Sequence, residues 1–263
     1  MIWKQYLRLI PAYLGWFNKG AFLYQIDAIL PSDIFIVSFP KSGNTWLRFI
    51  IASFFHPPEK INNRSIDTFV PDVYRNKKAI NAIKKNRLIK THNAWFEYHP
   101  KSIYIIRDYR DVIVSFFYYT QQGTSADLQL DDFLQSDVLK APFGTWAQHA
   151  QRALEWKQKY PEKIIIVRYE DLLDRKKEVI EELFQFCQGE RALAAEQVYD
   201  LFSYVQLKKD EEKHGNYYTD HTHQSFYRKG EKGDWKNQLN ESQLQTILSD
   251  SLTKEMLAKF NYL

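Results

Sequence analysis

The chain has 263 residues, 44% hydrophobic and 26% charged, enough to bury a sizeable core and better suited to one large domain than to two small ones. A net charge of +4 and a pI near 8.8 fit an anionic small substrate but fall short of the dense basic stripe of a nucleic-acid binder, which excludes nucleic acid as the partner. Cys187 is the only cysteine, so intrachain disulfides and cysteine-rich zinc sites are excluded, and a reducing cytoplasm is the expected compartment.

Residues 1–30 are apolar and aromatic and are expected to form a helical segment packed on the domain. Lys4, Arg8, Pro11 and Lys19 break the apolar run, so it neither spans a bilayer nor reads as a signal peptide. An interfacial segment, or part of an acceptor pocket, is the sharper reading of the same residues. Residues 35–50 then predict strand, loop and helix. A β-branched run ends at Pro40, Lys41-Ser42-Gly43 forms a turn, and Leu47, Ile50, Ile51 and Phe54 share one helical face up to Pro57-Pro58. The unpaired N–H groups and positive dipole end of such a helix suit phosphate, with Lys41 beside the anion. The triphosphate P-loop spacing G-x-x-x-x-G-K-[ST] is absent, because the lysine precedes the glycine.

Residues 62–85 are polar with scattered apolar anchors and form a candidate substrate-lining excursion. Residues 87–92 predict a short strand running into a loop past Trp95, Phe96 and Tyr98. Residues 102–107 read as a buried parallel strand whose C-terminal Arg107 faces a site, with Asp108 able to cap the helix over 111–122. A packing helix is expected over 143–160, with Phe143, Trp146, Ala147, Ala150 and Leu154 on one face. Residues 163–170 predict another buried strand, followed by a charged helix through Phe186, and Cys187 is expected in the core. Residues 208–222 read as a solvated loop rather than a metal site, since His221 and His223 have no third ligand nearby. Residues 241–260 close the chain as one helix. Strands alternating with helices imply a single α/β domain over 1–263, with a central parallel sheet flanked by helices.

Four segments resemble the sulfotransferases that use 3′-phosphoadenosine 5′-phosphosulfate (PAPS), in that family's order. Residues 39–46 match the loop Y/F-P-K-S-G-T-T-W, with Asn44 in place of the first threonine. Lys90-Thr91-His92 matches K-T/S-H. Residues 107–119 resemble R-N-P-K-D-V-x-V-S-Y-Y, with Arg107 and Ser115 at matching spacing and Tyr109 in place of proline. Residues 228–237 look like R-K-G-x-x-G-D-W-K-N without a gap.

The resemblance spans about 34–237 and implies a P-loop NTPase-like sulfotransferase fold that takes PAPS as co-substrate and releases adenosine 3′,5′-bisphosphate (PAP), with no metal. It implies that Lys41, Ser42, Gly43, Asn44, Thr45 and Trp46 hold the 5′-phosphosulfate end, and that Arg107, Ser115, Arg228, Lys229 and Gly230 hold the 3′-phosphate. An arginine fork grips two phosphate oxygens at once and stays charged. The adenine is expected between Trp46 and Tyr204, preceded by Ser203, with Tyr169 on its amino group. By resemblance His92 is the base, Lys41 neutralises the leaving oxygen, Lys90 is a second cationic stabiliser, and Ser115 restrains Lys41 until acceptor binds.

The implied acceptor is a small molecule with a hydroxyl or amine, met by the variable segments 62–85, 95–98, 122–142 and 208–224. The family's K-x-x-x-T-V-x-x-x-E dimer motif is missing after Asn237, which leaves a monomer or a weak homodimer. Two other readings of the loop stay open. One is a nucleotide kinase, which lacks Walker spacing here and an evident magnesium carboxylate; the other is a non-catalytic nucleotide-binding module.

Overall fold

A computed structural model of the chain describes residues 26, 28–121, 128–139, 143–189, 193–215 and 226–263. Most of the expected N-terminal segment, the end of the helix at 123–125, parts of the acceptor segments, and His221 with His223 lie outside these residues. Strand β1, Ile34–Ser38, shows why a continuous apolar run is needed at the centre. Ile34 and Ile36 enter one core cluster with Leu47, Ile50 and Leu183, while Phe35 and Val37 enter another with Trp146, Ala150 and Leu257. Successive side chains point to opposite faces, and both faces are covered.

Strands β2 (Leu88–Thr91), β3 (Lys101–Ile106) and β4 (Ile164–Arg168) complete a parallel sheet of order β2-β1-β3-β4. Ile36 lies between Lys90 and Ile103, and Ile105 lies opposite Val167. From β1 the chain passes to β2 on one side and then returns across β1 to β3. The crevice beyond the C-terminal ends of β1 and β3 is therefore a topological switch point, where open parallel sheets take ligands.

Helix α1 (Asn44–Ala52) follows β1 directly and ends before the two prolines, which lead into a 3-10 turn at Pro58–Lys60. The polar excursion holds two short helices, α2 (Ile66–Phe69) and α3 (Lys77–Ala82). Between them Val73 N donates to Lys90 O, and Lys90 N donates to Pro71 O, so the excursion lies along β2. Helix α4 (Tyr109–Gln121) starts two residues earlier than its apolar pattern indicates, because the Asp108 carboxylate accepts from Arg110 N at 3.0 Å and caps it. Helix α5 (Leu130–Gln135) packs on α4 through Phe133.

Four expectations need correction. The packing helix, α6, runs only over Trp146–Lys159, because Thr145 and Gln148 form a reciprocal capping box; Phe143 stays in the loop before it. The charged helix after β4 is two helices, α7 (Tyr169–Asp174) and α8 (Lys176–Cys187), separated by the non-helical Arg175. After α9 (Ala195–Leu201), the stretch expected as a loop from Lys208 belongs to helix α10 (Tyr204–His214). Only Leu207 and Glu211 of α10 are buried, a stripe too narrow to show as periodicity. The terminal helix is also two, α11 (Glu241–Leu248) and α12 (Ser251–Lys259), because Asp250 accepts from Thr253 N and restarts the helix.

Candidate active site

The turn between β1 and α1 is built for close approach. Gly43 caps α1 with φ +95°, and a Cβ there would lie 2.5 Å from Tyr169 Cδ2, so the loop closes over that ring only with glycine. Lys41 also adopts a left-handed φ of +68°, which is costly for a side-chain-bearing residue. Asn44 faces back into the fold, its Nδ2 donating to Ser38 Oγ at 3.1 Å and Ile36 O at 3.3 Å. Thr45, half-buried, lies in the first turn of α1. Ser42 Oγ and Trp46 Nε1 are buried with no partner among the described residues. Trp46 packs edge-on against Tyr169 at 5.5 Å and Tyr199 at 5.9 Å.

Three cations converge above this turn. Burial, with the Arg107 and Arg228 charges adding to it, lowers the Lys41 amine to about 7. Its Nζ lies 4.1 Å from the Tyr119 ring centre and 4.8 Å from that of Phe226. Arg107, 8% exposed at the end of β3, stacks on Tyr169 at 4.4 Å and donates to Glu231 O, while its Nε is buried without a partner. Ser115 is half-buried on α4. Such cations and orphaned polar atoms around a helix start are what an anion with phosphate-like oxygens would satisfy.

The loop 226–235 is fastened over them. Buried Asp111 accepts from Gly233 N at 2.6 Å and Trp235 N at 3.0 Å, and the Arg110 guanidinium lies 3.9 Å from the Trp235 ring. Arg228 and Lys229 both donate to Asp234, at 2.7 and 2.6 Å. Burial works to raise the Asp234 carboxyl, but these two cations outweigh it and hold it low. Gly230 has φ +70°, and a Cβ on it would lie 2.3 Å from Tyr204 Cδ2; the Tyr204 hydroxyl donates to Arg228 O at 2.9 Å. Tyr204 therefore shapes this loop. Ser203, the residue before α10, turns its hydroxyl to Asp200 O.

On the other side of β1, the His92 Nδ1 donates to Ser38 O at 2.8 Å, which leaves Nε2 as the lone-pair nitrogen. Burial and the Lys90 charge push its pKa well below the usual histidine value, so the ring is neutral. Tyr74 stacks on His92 at 6.2 Å and Phe143 tilts against it at 5.4 Å. The Tyr74 hydroxyl also accepts from His92 N and pairs with Thr91 Oγ1. Behind His92, His149 Nε2 donates to His92 O at 3.0 Å, and its Nδ1 accepts from Tyr104 at 3.0 Å. Lys90 Nζ is bound by Asp72 Oδ2 at 2.9 Å.

A family model for the sulfotransferase domain matches residues 31–260. The chain belongs to the sulfotransferase family. It is 28% identical over 256 residues to mouse sulfotransferase 1 family member D1, covering 85% of this chain and 83% of that protein. It is also 28% identical over 236 residues to rat sulfotransferase 1A1, covering 79% of each. Among solved structures, mouse sulfotransferase SULT7A1 complexed with PAP superposes with a TM-score of 0.67 at 21% identity, over 92% of this chain and 94% of that one. Retinol dehydratase in complex with androsterone and PAP gives a TM-score of 0.67 at 18% identity, over 94% and 85%. The sulfotransferase fold, P-loop-like with a parallel sheet, is thus the fold of this chain.

The sulfotransferase carries site residues that its linear motifs did not reveal. Tyr74, from the 62–85 excursion, and Phe143, from the loop before α6, flank His92, and Asp72 and His149 act through contacts across the fold. Asp111 and Asp234 lie inside motif strings, which is the signal that singles them out. Among the described residues no three His, Cys, Asp or Glu side chains gather as a metal site.

Proposed function

We propose that this sulfotransferase moves a sulfuryl group from PAPS to the hydroxyl or amine of a small-molecule acceptor, with His92 as general base. The observation that carries the reading is the neutral His92 ring, fixed by Ser38 O through Nδ1 and set between Tyr74 and Phe143. Ser38 ends β1 three residues before Lys41, so one strand end supports both the base and the phosphate loop. The acceptor oxygen or nitrogen forms a bond to sulfur as the bond from sulfur to the bridging phosphate oxygen breaks. His92 Nε2 takes the acceptor proton, and Lys41 neutralises the charge left on the bridging oxygen. Arg107, Arg228 and Lys229 grip the 3′-phosphate, and Trp46 and Tyr169 border the adenine. The aromatic walls at His92 favour a flat apolar acceptor over a polymer.

The test is His92→Ala, assayed with acceptors of graded acidity while PAP affinity is followed by calorimetry. Turnover should fall about a hundredfold to ten-thousandfold with PAP binding intact, and recover with an acceptor already ionised at assay pH. An equal loss across all acceptors would remove His92 from the role of base.

A further inference from the structure

Arg107 stands between two carboxylates whose oxygens are already spoken for. Asp111 Oδ2 lies 3.8 Å from its guanidinium, beyond hydrogen-bond distance, and Asp111 is committed to Gly233 N and Trp235 N. The other is Glu170, 7% exposed, which follows the tyrosine that Arg107 stacks on. Burial raises the Glu170 carboxyl, and the Arg107 charge is among the influences that pull it back down, so the two groups feel each other. A buried carboxylate beside an arginine is otherwise drawn into a forked ion pair. Here both its oxygens are taken by neutral donors: Oε1 accepts from Asp108 N at 3.1 Å, and Oε2 accepts from the Tyr262 hydroxyl at 2.7 Å.

Tyr262 lies outside the four segments that carry the family resemblance and beyond the residues 31–260 matched by the family model. It follows α12, and its N donates to Leu257 O at 2.8 Å; Leu257 is fully buried in the core cluster that holds Phe35 and Val37 of β1. Its ring lies 4.6 Å from the Arg168 guanidinium, and its carbonyl accepts from Arg110 Nη2 at 2.5 Å. Arg110 in turn donates to Asp108 through Nε and Nη2, at 2.9 and 2.7 Å. Hydroxyl and carbonyl of one residue thus fasten Glu170 on one side of the strand end that carries Arg107 and Arg110 on the other. A phenol suits the task because it satisfies a carboxylate without adding a charge. Burial and the Glu170 charge push its own ionisation far up, so it stays a donor.

We propose that Tyr262 is a positioning residue for the donor: by occupying Glu170 it keeps that carboxylate off Arg107, whose guanidinium then stays open to the 3′-phosphate. This role rests on the reading of Arg107 as a 3′-phosphate ligand.

The experiment is calorimetric titration of PAP and of adenosine 5′-monophosphate, which lacks the 3′-phosphate, into the parent and three variants. Tyr262→Phe should weaken PAP by about threefold to thirtyfold and leave the affinity for the monophosphate unchanged, which also shows that the variant is folded. Adding Glu170→Gln to it should restore most of the loss, because the amide has no charge to place on Arg107. Arg107→Ala should narrow the preference for PAP over the monophosphate at least as much as Tyr262→Phe does. PAP affinity unchanged in Tyr262→Phe, an equal loss for both nucleotides, or no recovery with Glu170→Gln would overturn the role of Tyr262 while the loss in Arg107→Ala leaves the 3′-phosphate reading standing. An undiminished preference for PAP in Arg107→Ala would overturn that reading, and the role of Tyr262 with it.

Discussion

Lys90 Nζ sits 2.9 Å from Asp72 Oδ2, with both residues buried, so a cation expected to stabilise the reacting group is already matched by a carboxylate of its own chain. Burial alone would raise the Asp72 carboxyl, but the adjacent Lys90 charge holds it below its ordinary value. Asp72→Asn strands a buried ammonium, and breaking such a pair from one side costs about 3–5 kcal/mol. A urea midpoint for Asp72→Asn should therefore fall steeply, and adding Lys90→Met should restore much of it. Additive losses in the double variant would show that the pair is not coupled.

Lys41 makes a claim about protons. The unfolded chain keeps this proton up to about pH 10.5, whereas the folded site releases it near 7. Between those values the unfolded state binds more protons, so this group makes the free protein more stable as pH rises through the window. A bound bisphosphate reverses the balance by favouring the charged amine. At pH 8, where a phosphate monoester is already fully ionised, PAP binding should take up close to one proton. Calorimetry in buffers of different ionisation enthalpy measures this, and Lys41→Met should abolish the uptake.

Much of the site was legible because its parts are local. The loop at 39–46, Arg107 at a strand end, and the 228–237 string each declare a conformation or a charge within a few residues. The spacing of Phe143 fits the face of a helix, yet the Thr145–Gln148 capping box starts the helix beyond it and frees its ring to meet His92. His149 fits the helical pattern correctly, but its partner is 57 positions away, a relationship no periodicity encodes. The polar face of α10 hid a helix for a related reason: helix formers with little apolar content read like a solvated loop.

Gly230 couples the 226–235 loop to Tyr204. With φ at +70° and a Cβ position 2.3 Å from the ring, Gly230→Ala must shift either the loop or the tyrosine. The backbone cost of about 1–2 kcal/mol, plus a similar overpacking cost, should weaken PAP binding by about thirtyfold to nearly a thousandfold. The variant Gly230→Ala/Tyr204→Ala removes the obstruction but not the backbone cost. Its PAP affinity, relative to Tyr204→Ala alone, should show a smaller penalty for the alanine.

Asp234 binds Arg228 and Lys229 through separate oxygens while Asp111 holds the backbone on either side of it. A carboxylate here occupies the cations in the way a phosphate would, so the departure of a nucleotide does not leave them facing each other unneutralised. Under the proposed nucleotide contacts, loading and unloading would be an exchange of one anion for another across a loop tethered at Gly233 and Trp235. With Arg228 and Lys229 in the proposed 3′-phosphate role, the barrier to product escape would be set in part by how readily this internal carboxylate steps back in, a use for the motif's aspartate apart from holding shape.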